Sequence, residues 1–214
     1  MGAFFISRLC YTYQYNIKKT GDVMKMILIF GPQAVGKMTI GERISEKMSL
    51  PLMHNHVTLD AIWPYIGWNK KTFELSDQLR LDMFNYISKD LNHPGLIFTF
   101  VWAFDREEDW AFVDKIKRIF NATHHELYFI ELTADLDERL RRNQTENRLL
   151  KKPSKRDIAY SNHELLTSAE ENRLNSHPGE MKEKNYLKLD ITTLSVDESS
   201  TEILHWLNEI EKGK

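Results

Sequence analysis

The sequence has a single cysteine, no long apolar run and almost no net charge, and each absence excludes a class of protein. Cys10 alone cannot form a disulfide within the chain, which favours a reducing cytoplasmic location over a disulfide-bonded, secreted fold. No apolar stretch approaches the roughly 20 residues that a membrane-spanning helix needs. A formal net charge of -2 gives no reason to expect nucleic-acid binding through bulk electrostatics. The 214 residues are enough for one α/β domain with a full core.

Residues 1–25 differ in pattern from the rest of the chain. The apolar stretch Ala3–Ile6 is too short for the apolar region of a signal peptide. Three tyrosines then alternate with polar residues, as in an edge strand: Tyr11, Tyr13 and Tyr15. The alternative, which we prefer, is a poorly ordered extension ahead of a domain over residues 26–214, with Met24 or Met26 as the functional start.

A glycine-rich stretch between an apolar run and a helical pattern is the most informative feature of the sequence. Residues 26–30 are apolar, residues 39–48 have helical spacing, and between them stands Gly31-Pro32-Gln33-Ala34-Val35-Gly36-Lys37-Met38-Thr39. A strand, then G-x-x-x-x-G-K, then a helix is the context of a phosphate-binding loop. The glycines let successive backbone N–H groups point inward, and the helix N-terminus adds partial positive charge. Lys37 supplies a cation for the β- and γ-phosphates.

One position of the loop, directly after Lys37, differs from the common motif. A Ser or Thr usually follows the lysine directly and ligates Mg²⁺. Met38 stands there instead and Thr39 follows, so we expect Thr39 or water to complete the Mg²⁺ site. Without a nucleotide we expect Lys37 to be solvated. The alternative interpretation of the whole stretch is a glycine turn that joins a core strand to a helix.

The second predicted strand ends in two histidines. Residues 52–55 have the composition of a short strand, and His54 and His56 share one face of an extended segment. Ligands collect beyond the carboxyl ends of strands in open α/β sheets. Substrate contact, a metal site and simple loop packing remain open interpretations of this pair.

Residues 58–91 have mostly helical spacing. We expect Thr58 to begin a helix that Pro64 breaks, and a longer helix to begin at about Ser76. The apolar stripe of the longer helix is Leu79, Met83, Tyr86 and Ile87. Four aromatic residues in this region either belong to the core or line a pocket: Trp63, Tyr65, Trp68 and Phe73.

The strongest strand signal is Leu96–Trp102. Its continuous apolar character is typical of a central parallel strand that is buried on both faces. Asp105 follows this strand, where a carboxylate that organises Mg²⁺ or accepts a proton would lie. The alternative is that Asp105 only caps the next helix.

A basic segment follows the fourth predicted strand, Glu126–Leu132. From Arg139 to Arg156 the sequence has eight Lys or Arg residues and a single acid, Glu146. This excess needs either an anionic ligand or solvent. Nucleic acid is a poor candidate, because the segment has no aromatic residue on which bases could stack. Residues 186–190 are the fifth predicted strand, and residues 201–210 form a closing amphipathic helix.

These motifs resemble the P-loop small-molecule and nucleoside-monophosphate kinases, a family that includes adenylate, shikimate and gluconate kinases. The resemblance rests on the loop from Gly31 to Thr39, on Leu132-Thr133-Ala134-Asp135, on the segment from Arg139 to Arg148, and on residues 189–195. It implies an α/β, three-layer P-loop NTPase fold, with a five-stranded parallel sheet in the order 2-3-1-4-5 and helices on both faces. It also implies a mobile lid around residues 139–156 and an acceptor site after strand two. Where the family often has an acidic pair, this chain has His54-Asn55-His56 and Asp105-Arg106.

The sequence therefore predicts a cytoplasmic kinase that transfers the γ-phosphoryl group of ATP to a small metabolite or nucleotide, with Mg²⁺. The expected catalytic residues are Lys37, Asp105, Arg142 and Arg148. The expected nucleotide contacts are Gly31, Gln33, Ala34, Val35, Gly36, Lys37, Met38, Thr39 and Arg142, and the expected Mg²⁺ contacts are Thr39 and Asp105. The candidate acceptor contacts are His54, His56, Asp60, Arg80 and Arg106. The main alternative is a nucleotide-binding regulatory module with weak or no activity, and an RNA-associated ATPase is a third reading.

Overall fold

Five parallel strands form one sheet in the order β2-β3-β1-β4-β5, as the resemblance implies. The computed structural model describes residues 24–151 and 156–213. The expectations for residues 1–23 and for residues 152–155 of the basic segment lie outside the described residues. Among the described residues, no helix is long and apolar enough to cross a membrane.

Helices connect the strands and cover both faces of the sheet. The strands are β1 (Lys25–Phe30), β2 (Leu52–His54), β3 (Gly95–Phe100), β4 (Glu126–Thr133) and β5 (Tyr186–Asp190). The helices are α1 (Lys37–Met48), α2 (His56–Ile66), α3 (Lys70–Ile87), α4 (Glu107–Asn121), α5 (Leu136–Asn143), α6 (Glu146–Lys151), α7 (Ile158–Glu171) and α8 (Val196–Lys212).

Alternation along the central strands sends side chains into two separate cores. In β1, Leu28 and Phe30 join one cluster with residues of α3 and α4, whereas Ile27 and Ile29 join a second cluster with residues of α1 and α8. The α3–α4 core is rich in Phe and Trp, and the α1–α8 core is mostly aliphatic. Each fully buried side chain of this size contributes about 1.5–3 kcal/mol relative to exposure. The sheet is therefore packed on both faces, and the loops at its carboxyl edge begin from strand ends that this packing fixes.

The region between β2 and β3 differs most from the sequence prediction. The helix α2 continues through Pro64 instead of breaking there, and α3 begins at Lys70, with Asn69 as its N-cap, not at Ser76. Three of the four residues of the predicted apolar stripe of α3 are exposed, since Tyr86 is 75% exposed and Leu79 and Met83 are about 40% exposed, whereas Ile87 packs against the α3–α4 core.

The buried face of α3 is instead mostly polar, consisting of Thr72, Ser76, Arg80 and Phe84. A hydrogen-bond network makes this burial tolerable. Arg80 Nε donates to Thr58 Oγ1 at 2.8 Å, and the hydroxyls of Thr58 and Ser76 are 2.7 Å apart. Polar side chains that satisfy one another in this way can be buried at little cost.

The chain leaves the sheet earlier than predicted after β3. The strand ends at Phe100, and residues 101–106 form an irregular connection to α4. Trp102 is 1% exposed in the α3–α4 core, so its strong apolar signal reflects burial in a loop and not strand structure. Asp105 does not cap α4, because Arg106 occupies the N-cap position.

Candidate nucleotide and acceptor site

The loop from Gly31 to Gly36 joins the end of β1 to the start of α1 at the carboxyl edge of the sheet. Gly31 has φ 140°, and a Cβ there would overlap the carbonyl oxygen of Leu132 in the neighbouring strand. Gly36 is the N-cap of α1 with φ 119°. Both positions therefore need glycine. This backbone places the N-terminal end of α1, with its unpaired N–H groups and partial positive charge, against whatever the loop encloses.

Lys37 is not solvated as expected but bends back onto the loop. Its Nζ donates to the carbonyl oxygens of Gly31, at 2.6 Å, and Pro32, at 2.7 Å. The reason is local, because these carbonyls lie within reach of an ammonium at the first position of α1. The contacts hold a cation at the mouth of the loop.

Two arginines of the predicted lid belong to the fixed support of the loop. Arg139 is 6% exposed and its Nε donates to Gln33 O at 2.9 Å, and burial lowers the pKa of Arg139 to about 10. Gln33 Nε2 also donates to Ser168 Oγ of α7 at 2.8 Å. The loop residue Gln33 is thus held between α5 and α7.

Arg142 connects three parts of the fold. Its Nη1 donates to Val35 O at 2.7 Å, its Nη2 donates to Ile191 O at 2.6 Å, and its Nε donates to Glu138 at 2.6 Å. The prediction that Arg142 belongs to a mobile lid therefore needs correction, whereas its contact with phosphates stays a prediction, because Arg142 lines the cavity beside the loop. With Arg139 and Arg142 in the support, the segment that could move relative to the loop begins after Asn143, which is 1% exposed.

Glu138 orients both arginines that follow it by one helical turn. Its carboxylate accepts hydrogen bonds from Arg141 and Arg142, and these hold the pKa of Glu138 down at about 2. The carboxylate is therefore charged at every physiological pH. It neutralises part of the positive charge of α5, so the basic character of this helix is weaker than the sequence suggests.

Arg148 is a partly buried arginine of the predicted lid that lines two cavities. Its Nε donates to Asn143 Oδ1 at 2.7 Å, and burial lowers the pKa of Arg148. Its side chain lines the large cavity beside the loop and a second cavity of about 460 Å³ bounded by Gln33 and α7. A partly desolvated guanidinium at this place can bind an anion strongly.

One large cavity of about 1120 Å³ lies over the loop and has four walls. The loop wall is residues 33–40. The β5–α8 wall is Ile191, Thr192, Thr193, Leu194, Ser195, Val196, Glu198 and Ser199. The α5–α7 wall is Glu138, Arg141, Arg142, Thr145, Arg148, Tyr160 and Glu164. The α2–β3 wall is Asn55, His56, Leu59, Trp68, Phe73, Thr99 and Val101.

The predicted acceptor residues are only partly brought together. His56 lines the cavity, and its Nδ1 lies 4.0 Å from the Asp60 carboxylate. The rings of His54 and His56 are 6.4 Å apart, but His54 and Asp60 are outside the lining. Arg80 is also outside it, because its guanidinium is buried and bonded to Thr58, Asp77 and Asn55 O. Arg80 therefore positions the α2–β3 wall from behind.

Asp105 and Arg106 lie away from the cavity. The carboxylate of Asp105 accepts the backbone N–H of Arg173 at 3.0 Å, and Arg106 Nε donates to Asn172 Oδ1 at 2.6 Å. Both residues fix the segment after α7 to the end of β3. This geometry gives no support to Asp105 as a base or a Mg²⁺ ligand, or to Arg106 as an acceptor contact.

Sequence reasoning missed several lining residues. Glu138 had a local signal, since a glutamate three and four residues before arginines on a helix forms ion pairs. Tyr160 and Glu164 are one turn apart on α7, but nothing local predicts that α7 folds over the loop. The β3 residues Thr99 and Val101 looked like core. Among the described residues, no group of three or more His, Cys, Asp or Glu could hold a metal ion by itself.

Comparison with known proteins gives structural likeness alone. No family model matches the sequence, and no curated protein matches it. A gluconokinase from Sinorhizobium meliloti is similar with a TM-score of 0.56 at 13% identity, covering 89% of this chain and 94% of that one. A shikimate kinase from Acinetobacter baumannii in complex with shikimate has a TM-score of 0.53 at 13% identity, covering 87% and 94%. An APS kinase from Mycobacterium tuberculosis in complex with AMPPNP and APS has a TM-score of 0.53 at 12% identity, covering 87% and 98%. With the sheet order and the loop, these likenesses identify the fold of the chain as that of the P-loop small-molecule kinases.

Proposed function

We propose that the protein is a kinase that transfers the γ-phosphoryl group of ATP to a hydroxyl group of a small metabolite. The observation that carries the proposal is a single cavity in which the glycine loop and Lys37 lie between the β5–α8 wall and the α2–β3 wall. Phosphoryl transfer needs donor and acceptor on opposite sides of one phosphate site, with positive charge around it. The cavity supplies both sides and the charge.

In this proposal the nucleotide base lies against the β5–α8 wall and its phosphates lie on the loop. Ile191 and Arg142 already contact each other at this place through the Ile191 carbonyl. The loop N–H groups and the start of α1 would surround the β-phosphate. Lys37 would exchange the carbonyls of Gly31 and Pro32 for phosphate oxygens, so hydrogen bonds to neutral oxygens would be replaced by stronger ones to negatively charged oxygens.

Arg148 and Thr39 complete the phosphate site. Arg148 would balance the charge that develops on the transferred group. Thr39 lines the cavity and offers a hydroxyl, an oxygen donor of the kind that Mg²⁺ prefers. Mg²⁺ usually keeps several waters, so a donor set of one hydroxyl, phosphate oxygens and water fits it. When bound, Mg²⁺ would supply neutralising charge for the β- and γ-phosphates.

The acceptor would lie against the α2–β3 wall. His56 is the titratable side chain of that wall, and the Asp60 carboxylate lies 4.0 Å from its Nδ1. We assign His56 to hold the reacting hydroxyl and to accept its proton. The base contributes modestly to phosphoryl transfer of this kind, because positioning and charge stabilisation dominate.

A nucleotide-binding module without transfer is the second candidate. It is favoured by Met38 at the usual hydroxyl position and by the location of Asp105 away from the cavity. In this case ATP binds in the same place and no compound stimulates its turnover.

The test is ADP release with Mg²⁺ and ATP across nucleosides, nucleotides, neutral sugars, sugar acids and aminoglycosides. We expect one chemical class to stimulate release, and Lys37→Ala to lower that rate by about 10²–10³-fold, as loss of one charge-stabilising donor does. Lys47→Ala, at the exposed last turn of α1, is the matched control and should not change it. ATP binding by calorimetry without stimulated release in any class would establish the second candidate.

A further inference from the structure

The α2–β3 wall combines exposed aromatic rings with a lack of available positive charge. We propose that the acceptor is an uncharged, polyhydroxylated compound with a flat apolar face, and that this face stacks on Trp68. The proposal rests on the proposed kinase function and names the substrate class of the same site.

Trp68 presents a supported aromatic surface to the cavity. It lies between α2 and α3 and is 52% exposed, and Phe73 beside it is 50% exposed. Trp63 stacks against Trp68 with ring centroids 5.5 Å apart and an interplanar angle of 13°. Trp68 and Phe73 line the cavity, whereas Trp63 is not part of the lining. Trp63 therefore covers one side of Trp68 and holds the ring in place for a ligand on the cavity side.

The positively charged side chain nearest this wall already forms hydrogen bonds within the protein. Arg80 donates through Nε, Nη1 and Nη2 to Thr58, Asp77 and Asn55 O, and its side chain is 8% exposed. His56 has the Asp60 carboxylate 4.0 Å away, which would pair with its charge if the ring were protonated. Of the described residues of β2, α2, α3 and β3, the lining contains no lysine or arginine.

Two lysines at the start of α3 do not change this balance. Lys70 and Lys71 follow Trp68 closely in sequence, but both are exposed and neither lines the cavity. Lys71 Nζ also lies 3.3 Å from Glu74.

The cations of the cavity belong to its other walls. Lys37 bonds the loop, Arg142 bonds Val35, Ile191 and Glu138, and Arg141 bonds Glu138. Arg148 is the group that the transferred phosphoryl needs. A carboxylate or phosphate on the acceptor would therefore lose hydration at the α2–β3 wall without gaining a lysine or arginine partner there, which is unfavourable. A neutral ring or pyranose face gains the stacking contact at no such cost.

The test uses compound pairs that differ by one anionic group, titrated calorimetrically with and without a non-hydrolysable ATP analogue. The pairs are each of the common ribonucleosides with its 5′-monophosphate, and glucose with glucuronate, which keeps the pyranose ring. We expect the neutral member of one pair to bind at least about tenfold more tightly than its anionic partner. The nucleoside and sugar arms separate the two sources of a flat apolar face. Tighter binding of the anionic members, or no binding in either arm, would overturn the proposal.

Variants of the aromatic surface test its location. Trp68→Ala should weaken binding of the neutral compound at least about tenfold, as loss of one stacking platform does, and Trp68→Phe should retain most of the affinity. Tyr65→Ala is the matched control, because Tyr65 is an aromatic residue of α2 that is 86% exposed and outside the lining. Equal weakening by Tyr65→Ala would contradict stacking on Trp68.

A charge-introducing variant tests the electrostatic cause. Phe73→Arg places a cation on the α2–β3 wall and should reduce the preference for the neutral member at least about tenfold. An unchanged preference would contradict the proposal. The outcome is separable from the proposed function, since Trp68-dependent binding of a neutral compound without phosphoryl transfer would overturn only the kinase assignment. Transfer to an anionic acceptor would overturn only the present inference.

Discussion

Arg142 and Arg148 have the same side chain and are six positions apart, yet their different surroundings give them different roles. All three nitrogens of Arg142 donate to the protein, to Val35, Ile191 and Glu138. Arg148 bonds Asn143 alone among the residues that the structure describes, and it lines the cavity. The first arginine stabilises the loop, and the second is available to a ligand.

Removal of each arginine should therefore change a different quantity. Arg142→Ala removes the guanidinium donor of the Val35 and Ile191 carbonyls and one of the two arginine partners of Glu138, and we expect it to cost about 2–4 kcal/mol of unfolding free energy. Arg148→Ala should lower kcat with little change in stability, because its main partner is absent until ATP binds. Urea denaturation and steady-state kinetics measure the two effects.

Arg141→Ala is the matched control for these variants. Its side chain is 69% exposed and, among the described residues, bonds Glu138 alone, so its loss should change stability by less than about 1 kcal/mol. If Arg148→Ala lowered stability as much as Arg142→Ala, Arg148 would belong to the support of the loop as well.

Residue by residue, the sequence predicted the position and backbone of the loop, but not the contacts of Lys37 or the surroundings of the other candidate residues. Gly31, Gly36 and Lys37 form a local motif whose geometry depends on the adjacent strand and helix, so its spacing carries the information. Arg80 and Asp105 were assigned from position alone. Their roles depend on Thr58 and Arg173, which come from other elements, and no local pattern encodes those partners.

At the scale of elements, the apolar residues of α3 are mostly not its buried residues. Its most buried face contains Thr72, Ser76 and Arg80, and its exposed face contains Leu79 and Tyr86. Apolar periodicity therefore predicted the wrong face, because α3 packs on α2 through hydrogen bonds and on the sheet through Phe84. The sheet order came from the resemblance to the P-loop kinases, and the strand pairing confirms it.

A pair of α3 variants tests this orientation. Phe84 is 0% exposed and packs against Phe98 and Phe120, so Phe84→Ala should cost about 3–5 kcal/mol. Tyr86→Ala, on the apolar stripe that the sequence favoured, should change stability by no more than about 0.5 kcal/mol. Chemical denaturation of both variants measures the loss of unfolding free energy. A larger loss for Tyr86→Ala than for Phe84→Ala would mean that the apolar stripe predicted from the sequence is the buried face.

At the scale of the whole molecule, a buried carboxylate ties the segment after α7 to the sheet. Glu131 in β4 is 0% exposed and accepts hydrogen bonds from Ser176 and Tyr186, with Lys188 Nζ at 3.0 Å. Burial alone would raise the pKa of Glu131, but the hydrogen bonds from Ser176, Tyr186 and Asn175 outweigh it and lower this pKa.

This carboxylate should make global stability depend on pH. Because the folded pKa lies below the ordinary value of 4.5, the stabilisation is fully present above that value and is lost as the pH falls through the folded pKa. Glu131→Gln should cost about 2–4 kcal/mol at neutral pH, and the cost should shrink as the pH falls below about 4. Urea denaturation across this range measures it. Glu202→Gln, at an exposed site of α8, is the control, and a cost independent of pH would rule out ionisation as the cause.

Four of the five tryptophans form two pairs in different regions, and in a Trp206→Phe variant, which lacks the fifth, this division has an optical consequence. Trp102 lies in the α3–α4 core and Trp110 packs against it, with ring centroids 4.8 Å apart and an interplanar angle of 73°. Trp63 of α2 and Trp68, which follows α2, stack in parallel instead. Rings fixed at an angle in an asymmetric core give near-ultraviolet circular dichroism, which disappears when core packing is lost. Half-exposed rings respond instead through their emission when solvent leaves them. One protein sample therefore carries two intrinsic spectroscopic probes, one for the integrity of the core and one for occupancy of the α2–β3 wall.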